Sequence, residues 1–189
     1  MSNSLSAFGF LTILEDQQHG FFGGYLLLSA LGRPLEFHCS TPILPSQAQR
    51  ILYGSNLRSF VLGELIGQTL VRKAQLPVHA VLTDLPEMLS MGLFWDGTLA
   101  CVSAGEAESE ATTVGDPAST GPVLECAGFR LVGSATCSWA AEELREALEP
   151  LVAHVDLDEP FERIREAIQE AQRVTQPSAP EVDDHPAAA

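Results

Sequence analysis

Three apolar, β-rich runs crowd into the first 41 residues, and the links between them are too short for a helical crossover. Phe8–Leu14 (FGFLTIL) ends in the polar stretch EDQQHG at 15–20, and Tyr25–Leu31 (YLLLSAL) follows the Gly23-Gly24 pair. Gly32-Arg33-Pro34 then turns the chain into Leu35–Thr41 (LEFHCST). Parallel neighbours need a dozen or more connecting residues, so these links predict an antiparallel meander. In the third run Leu35, Phe37 and Cys39 alternate with Glu36, His38 and Ser40, which predicts one buried and one polar face.

Helical signals follow. Ser46 and Gln49 have capping-box spacing, and Gly54 is a natural stop. Asn56 is placed to cap a helix over 57–74, with Leu57, Val61, Leu65 and Leu70 apolar and Glu64, Gln68 and Arg72 as a polar stripe. Gly63 and Gly67 cost helix propensity there, which points to close packing against the sheet. A buried strand is expected over Val78–Thr83, then a short helix capped by Asp84 and ended by Gly92. Asp96-Gly97 reads as a hairpin turn between 93–95 and 98–103, and Ala127-Gly128 as another between 123–126 and 129–133. Ser138 and Asp158 are placed to cap two terminal helices, and Pro150 to end or bend the first.

The sum is an α+β fold, a mixed and largely antiparallel sheet with helices packed against it. Its element order is similar to that of profilin-like and longin-like domains, a likeness that implies nothing about function. Residues 1–175 form one domain carrying a flexible acidic loop at 104–122. Residues 176–189, rich in Pro, Ala and acid, form a disordered tail.

The formal charge of −15 is unevenly spread: residues 1–100 hold 7 acidic and 5 basic side chains, residues 101–189 hold 18 and 5. Such a field repels phosphate backbones and anionic lipids, so neither nucleic acid nor a membrane is an expected partner. Residues 1–7 lack a basic n-region, and no apolar run approaches the roughly 20 residues that span a bilayer. The expected location is cytoplasmic.

Signatures for nucleotide, hydrolase, zincin and EF-hand chemistry are absent. The candidate catalytic residues are Glu36, His38 and Asp84. Glu36 and His38, at i and i+2 on a strand, share a face, so the carboxylate could orient the imidazole as a general base; the alternative is an ordinary solvent-facing pair. Asp84 follows a strand, where catalytic carboxylates often sit, but capping also explains it. Arg50, Tyr53 and Arg58 flank Gly54 at a helix junction and are candidates for anion binding, against surface ion pairing. Trp95 is a stacking or a core aromatic. Cys39, Cys101, Cys126 and Cys137 contain no CxxC pair and read, with His79, as core residues. No metal and no cofactor is expected.

The stretch Gly32–Gly54 (GRPLEFHC, then TP, then QRILYG) resembles an uncharacterised bacterial protein family with a GRPLEFHC-type strand followed by a RAQ-ILYG-type helix. Here Ser46-Gln47 precede the Ala-Gln pair. The resemblance implies no activity and lends no catalytic residue. The expected function is a non-catalytic binding or assembly module with a protein partner or self-association. The alternatives are a small hydrolase or metal-dependent enzyme using Glu36 and His38, and a small-ligand sensor with a pocket near Trp95 and Tyr53.

Overall fold

Only Gln17–His19 separates Ala7–Asp16 (β1) from Gly20–Ser29 (β2), so the two strands pair antiparallel over their whole length, Ala7 opposite Ser29 and Asp16 opposite Gly20. The Asp16 carboxylate accepts the Gln18 and His19 N–H groups and fixes the turn, and Gly20 supplies its left-handed backbone at φ 88°. Pro34–Cys39 (β3) adds antiparallel to β2. This is a computed structural model, and it describes residues 7–105 and 121–175. The proposed loop at 104–122 and tail at 176–189 lie largely or wholly outside the described residues.

On the other side of β1 the chain changes direction. Ala80–Thr83 (β4) runs parallel to β1, and Leu99–Ala104 (β5) runs parallel to β4. Phe129–Gly133 (β7) and Val123–Cys126 (β6) close the sheet antiparallel, in the order β3-β2-β1-β4-β5-β7-β6. The Ala127-Gly128 hairpin is present, both residues at positive φ (52° and 81°). Four of the six pairings are antiparallel, so the fold is α+β with a mixed, largely antiparallel sheet.

Strand alternation sends side chains to two helical layers. Phe8, Phe10, Leu26, Leu28 and Leu82 meet the helices Ala141–Val152 and Glu159–Thr175 through Leu148, Phe161, Ile164 and Ile168. Leu11, Tyr25, Leu27 and Val81 meet the opposite layer, a composite helix over 57–73 and the 3-10 turns Pro86–Leu93. The composite helix is α-helical at Leu57–Ser59, π-helical at Phe60–Gly67 and α-helical again at Gln68–Lys73. At the end of its wide turn the Gln68 N–H reaches back five residues to the Gly63 carbonyl.

Several local expectations are corrected. In β3 the apolar residues Leu35, Phe37 and Cys39 are exposed, while Glu36 and His38 are half-buried. At the edge strand β3, the chain leaving the composite helix crosses Glu36. Gly63 serves a helix–helix contact rather than the sheet: a Cβ there would lie 2.1 Å from Ser90 Oγ, and one at Gly67 would meet Met91 Sδ as well as Leu11. Asn56 makes no side-chain cap, because the 3-10 turn Gly54–Asn56 already delivers a helical backbone. Nor does Asp84 cap; the 3-10 turns begin at Pro86, and its carboxylate is spent elsewhere. Residues 93–95 form no strand, so Asp96-Gly97 joins no hairpin; a Cβ on Gly97 would strike the Trp95 ring. Ser138 lies ahead of a helix whose N-cap is Ala140. The Ser46–Gln49 capping box and the Gly54 stop are both present.

Gly9 is where the central ladder is least forgiving. The Tyr25 ring lies across it, and a Cβ would fall 2.2–2.6 Å from three Tyr25 ring-end atoms. Gly9→Ala is expected to cost roughly 1–3 kcal/mol in urea unfolding, as overpacking does in a rigid core. Among the described residues the fully buried Tyr25 hydroxyl has no hydrogen-bond partner, so Tyr25→Phe should leave stability within about 1 kcal/mol of the parent, or raise it.

Candidate functional site

Glu36 and His38 sit beside Leu27 and Tyr25 in register, on the sheet face that carries the composite helix. His38 Nε2 lies 2.8 Å from Glu36 Oε2. The same carboxylate accepts the N–H of Gln75 at 3.0 Å and of Leu76 at 2.8 Å, where the chain leaves the composite helix. The hydrogen bond with His38 and those two N–H groups hold its pKa below the ordinary carboxylate value. The structure therefore unites the pair, and it also makes Glu36 the link that binds the exit of the helix to the sheet edge.

The three residues around Gly54 take separate routes. Arg58 donates to Glu15 at 2.9 Å and Glu87 at 3.0 Å, and its guanidinium lies 5.7 Å from the Phe21 ring centre. Those carboxylates raise its pKa. Arg50 Nε donates to the Pro45 carbonyl at 3.3 Å. Tyr53 stacks on Phe60, with ring centres 3.9 Å apart and planes at 16°. No described contact joins Arg50 or Arg58 to Glu36 or His38.

Asp84 lies just past the C-terminal end of β4, between the ends of parallel strands. Thr12 Oγ1, fully buried in β1, donates to Asp84 Oδ1 at 2.7 Å. Arg165 of the terminal helix bonds the other oxygen of Asp84 and also Thr12 Oγ1, and it pairs with Glu162 at 3.1 Å. Sequence reasoning missed Thr12 and Arg165; the one signal was a polar Thr inside the apolar FGFLTIL run. The cluster fastens the terminal helix to two central strands. The adjoining cavity is small, about 150 Å³, and Asp158 and Glu162 add acid to its wall.

The cysteines are all free and lie apart: Cys101 is buried, Cys126 and Cys137 are half-buried, and Cys39 is exposed, against the expectation of a core residue. Burial, reinforced by the nearby Asp84 and Glu87, pushes the Cys101 thiol up to about 12. His79, also read as core, is exposed, with its ring 6.1 Å from that of Phe8. Among the described residues no group of three or more His, Cys, Asp or Glu is placed to hold a metal ion. Trp95 is half-buried against the composite-helix core. No helix among the described residues is long and apolar enough to cross a membrane.

Exposed apolar side chains recur along the sequence from the β2–β3 turn to the end of α1 (Gln47–Tyr53). Here Leu31, Leu35, Phe37, Leu44, Ile51 and Leu52 are all exposed. Ile51 and Leu52 are 71% and 81% exposed, and α1 has no buried residue at all. A helix ordinarily buries its apolar face, so this one folds with that face uncovered by any described residue. No protein-family model matches the chain, and no curated protein matches its sequence significantly.

The depressed Glu36 pKa has a signed consequence. A carboxylate bound more tightly when charged stabilises the fold above its ordinary value of 4.5, and that contribution is lost as pH falls from there through the lowered value. Glu36→Gln is expected to lower the melting temperature at neutral pH and to flatten the decline below about pH 4.5. Parallel acid limbs in parent and variant would show that the Gln75 and Leu76 contacts carry no charge-dependent stability.

Proposed function

We propose that the chain is a non-catalytic assembly module that pairs with a second copy of itself through the open edge of β3. The observation that supports the reading most directly is the exposure of Leu35 and Phe37 on an edge strand, with Leu44, Ile51 and Leu52 exposed further along the chain. In a chain of charge −15, residues 31–53 hold two arginines against one carboxylate, so this stretch adds no net negative charge to a contact between copies.

The edge itself favours one register. Ser40 N–H donates to the Gly23 carbonyl, so along the antiparallel ladder the main-chain groups of His38 and Glu36 also face β2, and those of Phe37 and Cys39 face outward. A two-fold axis at Phe37 sets Phe37 opposite Phe37 of the second copy and Glu36 opposite its His38. That register gives an aromatic cross-strand pair and two reciprocal carboxylate–imidazole pairs. Pro34 has no N–H, and the β-bulge between Leu27 and Leu28 interrupts the ladder near Leu35, which limits pairing to one short stretch. Because each copy spends its single β3 edge, the association closes at two.

The enzyme reading lacks comparable support, since Glu36 already serves two backbone N–H groups and both arginines are engaged elsewhere. Sedimentation velocity over a range of protein concentration tests the proposal. The parent is expected to be a reversible dimer, and Phe37→Lys a folded monomer whose melting temperature, unlike the parent's, does not rise with protein concentration. A parent that stays monomeric at high micromolar concentration, or a Phe37→Lys protein that dimerises as the parent does, would overturn it.

A further inference from the structure

A cavity of about 460 Å³ lies beside the π-helical turn, with no residue of β3 in its wall. It opens between Tyr53, Phe60 and Glu64 on one side, Leu89 and Leu93 on a second, and the loop Ser134–Thr136 on a third. That volume is in the range of small-molecule sites, and the wall is mainly apolar with a few polar groups, as such sites usually are. The π turn itself is a feature found often at functional sites, because an inserted residue that weakens a helix persists where the wider turn serves a purpose.

The polar groups of the wall divide into spent and free. Ser90 Oγ is occupied with the Ser59 and Glu87 carbonyls, at 2.8 and 3.0 Å. Ser134 and Thr136 bond each other at 2.9 Å, and Thr136 donates to the Gly92 carbonyl. Glu64 is the one charged side chain of the wall. It is half-buried, and among the described residues no hydrogen bond or ion pair engages its carboxylate. The nearest basic residue in sequence, Arg58, is committed to Glu15 and Glu87. A half-buried carboxylate without a cation, next to an aromatic pair, is chemistry that suits a positive guest: the carboxylate neutralises it and a ring face attracts it.

From this we infer that the cavity binds an organic cation, an amine with an apolar body, whose charged end meets Glu64 beside Tyr53 and Phe60 and whose body lies on Leu89 and Leu93. Glu64 sits one turn from Phe60 on the π stretch, so the wide turn presents both the ring and the carboxylate to one cavity. The acidic field of the chain raises the local concentration of such a ligand and works against carboxylates and phosphates. The site is independent of how β3 is used, since it shares no residue with that edge.

Three probes of one size and different charge test the inference: 2-phenylethylamine, 2-phenylethanol and phenylacetate, titrated into the full chain and followed by amide NMR shifts. The amine is expected to give saturable shifts confined to residues 53–64, 86–93 and 134–136, with the alcohol roughly tenfold weaker and the anion silent. Glu64→Gln, a near-isosteric change, should weaken the amine roughly tenfold and leave the alcohol where it was. Equal binding of amine and alcohol, stronger binding of the anion, no saturable shift with the amine, or an unchanged amine affinity in Glu64→Gln would each overturn it.

Discussion

The ten-residue antiparallel pairing of β1 with β2 is the contact on which the rest of this fold is built. Every residue of β2 is buried, and so is β1 through Ile13. A strand buried on both faces needs a cover on each, and the chain supplies two different ones. The face of Phe8, Phe10 and Leu26 takes the C-terminal helices, and the face of Leu11, Tyr25 and Leu27 takes the composite helix and the 3-10 turns. Glycines in the ladder set how close those covers come. Cβ atoms at Gly23 and Gly24 would fall 2.1 Å from Ile66 and 2.2 Å from Ile164, so both helices approach the sheet where side chains are missing.

The same logic explains what is legible in the sequence. The meander of the first forty residues follows from short links and apolar runs, and the capping box at Ser46–Gln49 and the turn at Ala127-Gly128 follow from local chemistry. The parallel pairs do not follow, because nothing local in Val81 or Leu99 says which strand lies beside it. A cap at Asp84 fails for a related reason. Its spacing to Glu87 satisfies a local rule, but Arg165, 81 residues away in sequence, and the buried hydroxyl of Thr12 offer the carboxylate stronger partners. The alternation of β3 is real but its faces are reversed, since which face is covered depends on helices that the strand does not encode. Of the candidate site residues, Glu36 and His38 can be paired by strand geometry alone. Tyr53, a candidate for an anion, lies on an apolar wall, and Glu64 is visible in the sequence only as part of a polar stripe.

Edges and covers together locate the exposed apolar surface. The terminal helix reaches the sheet at β1 and β2 and contacts Gly24, opposite Cys39, through Ile164 and Ile168. Phe37, one strand further out, is left 41% exposed. On the opposite face the backbone of Gln75 and Leu76 comes down on Glu36, so that side of β3 is half-covered by polar contacts. The strand therefore offers one apolar and one charged face to whatever pairs with it. The proposed self-complementary register would use both, because a two-fold axis at Phe37 returns each face to its own kind while exchanging Glu36 for His38.

Charge distribution sets the terms on which two such chains can meet. Ala141–Val152 and Glu159–Thr175 carry eight of the glutamates, on helices that pack over the sheet with their acidic side chains outermost. The proposed contact through β3 would join stretches that carry no net negative charge and leave those helices to face solvent. Exposed charges further apart than about 8 Å are largely screened at physiological salt, so the remaining repulsion between copies weakens as salt rises. The cation site proposed at Glu64 would respond in the opposite sense, because its attraction for a cation would be weakened by the same screening. On these two proposals a single chain would hold one surface favoured by salt and one opposed by it, and both would follow from where its carboxylates are placed.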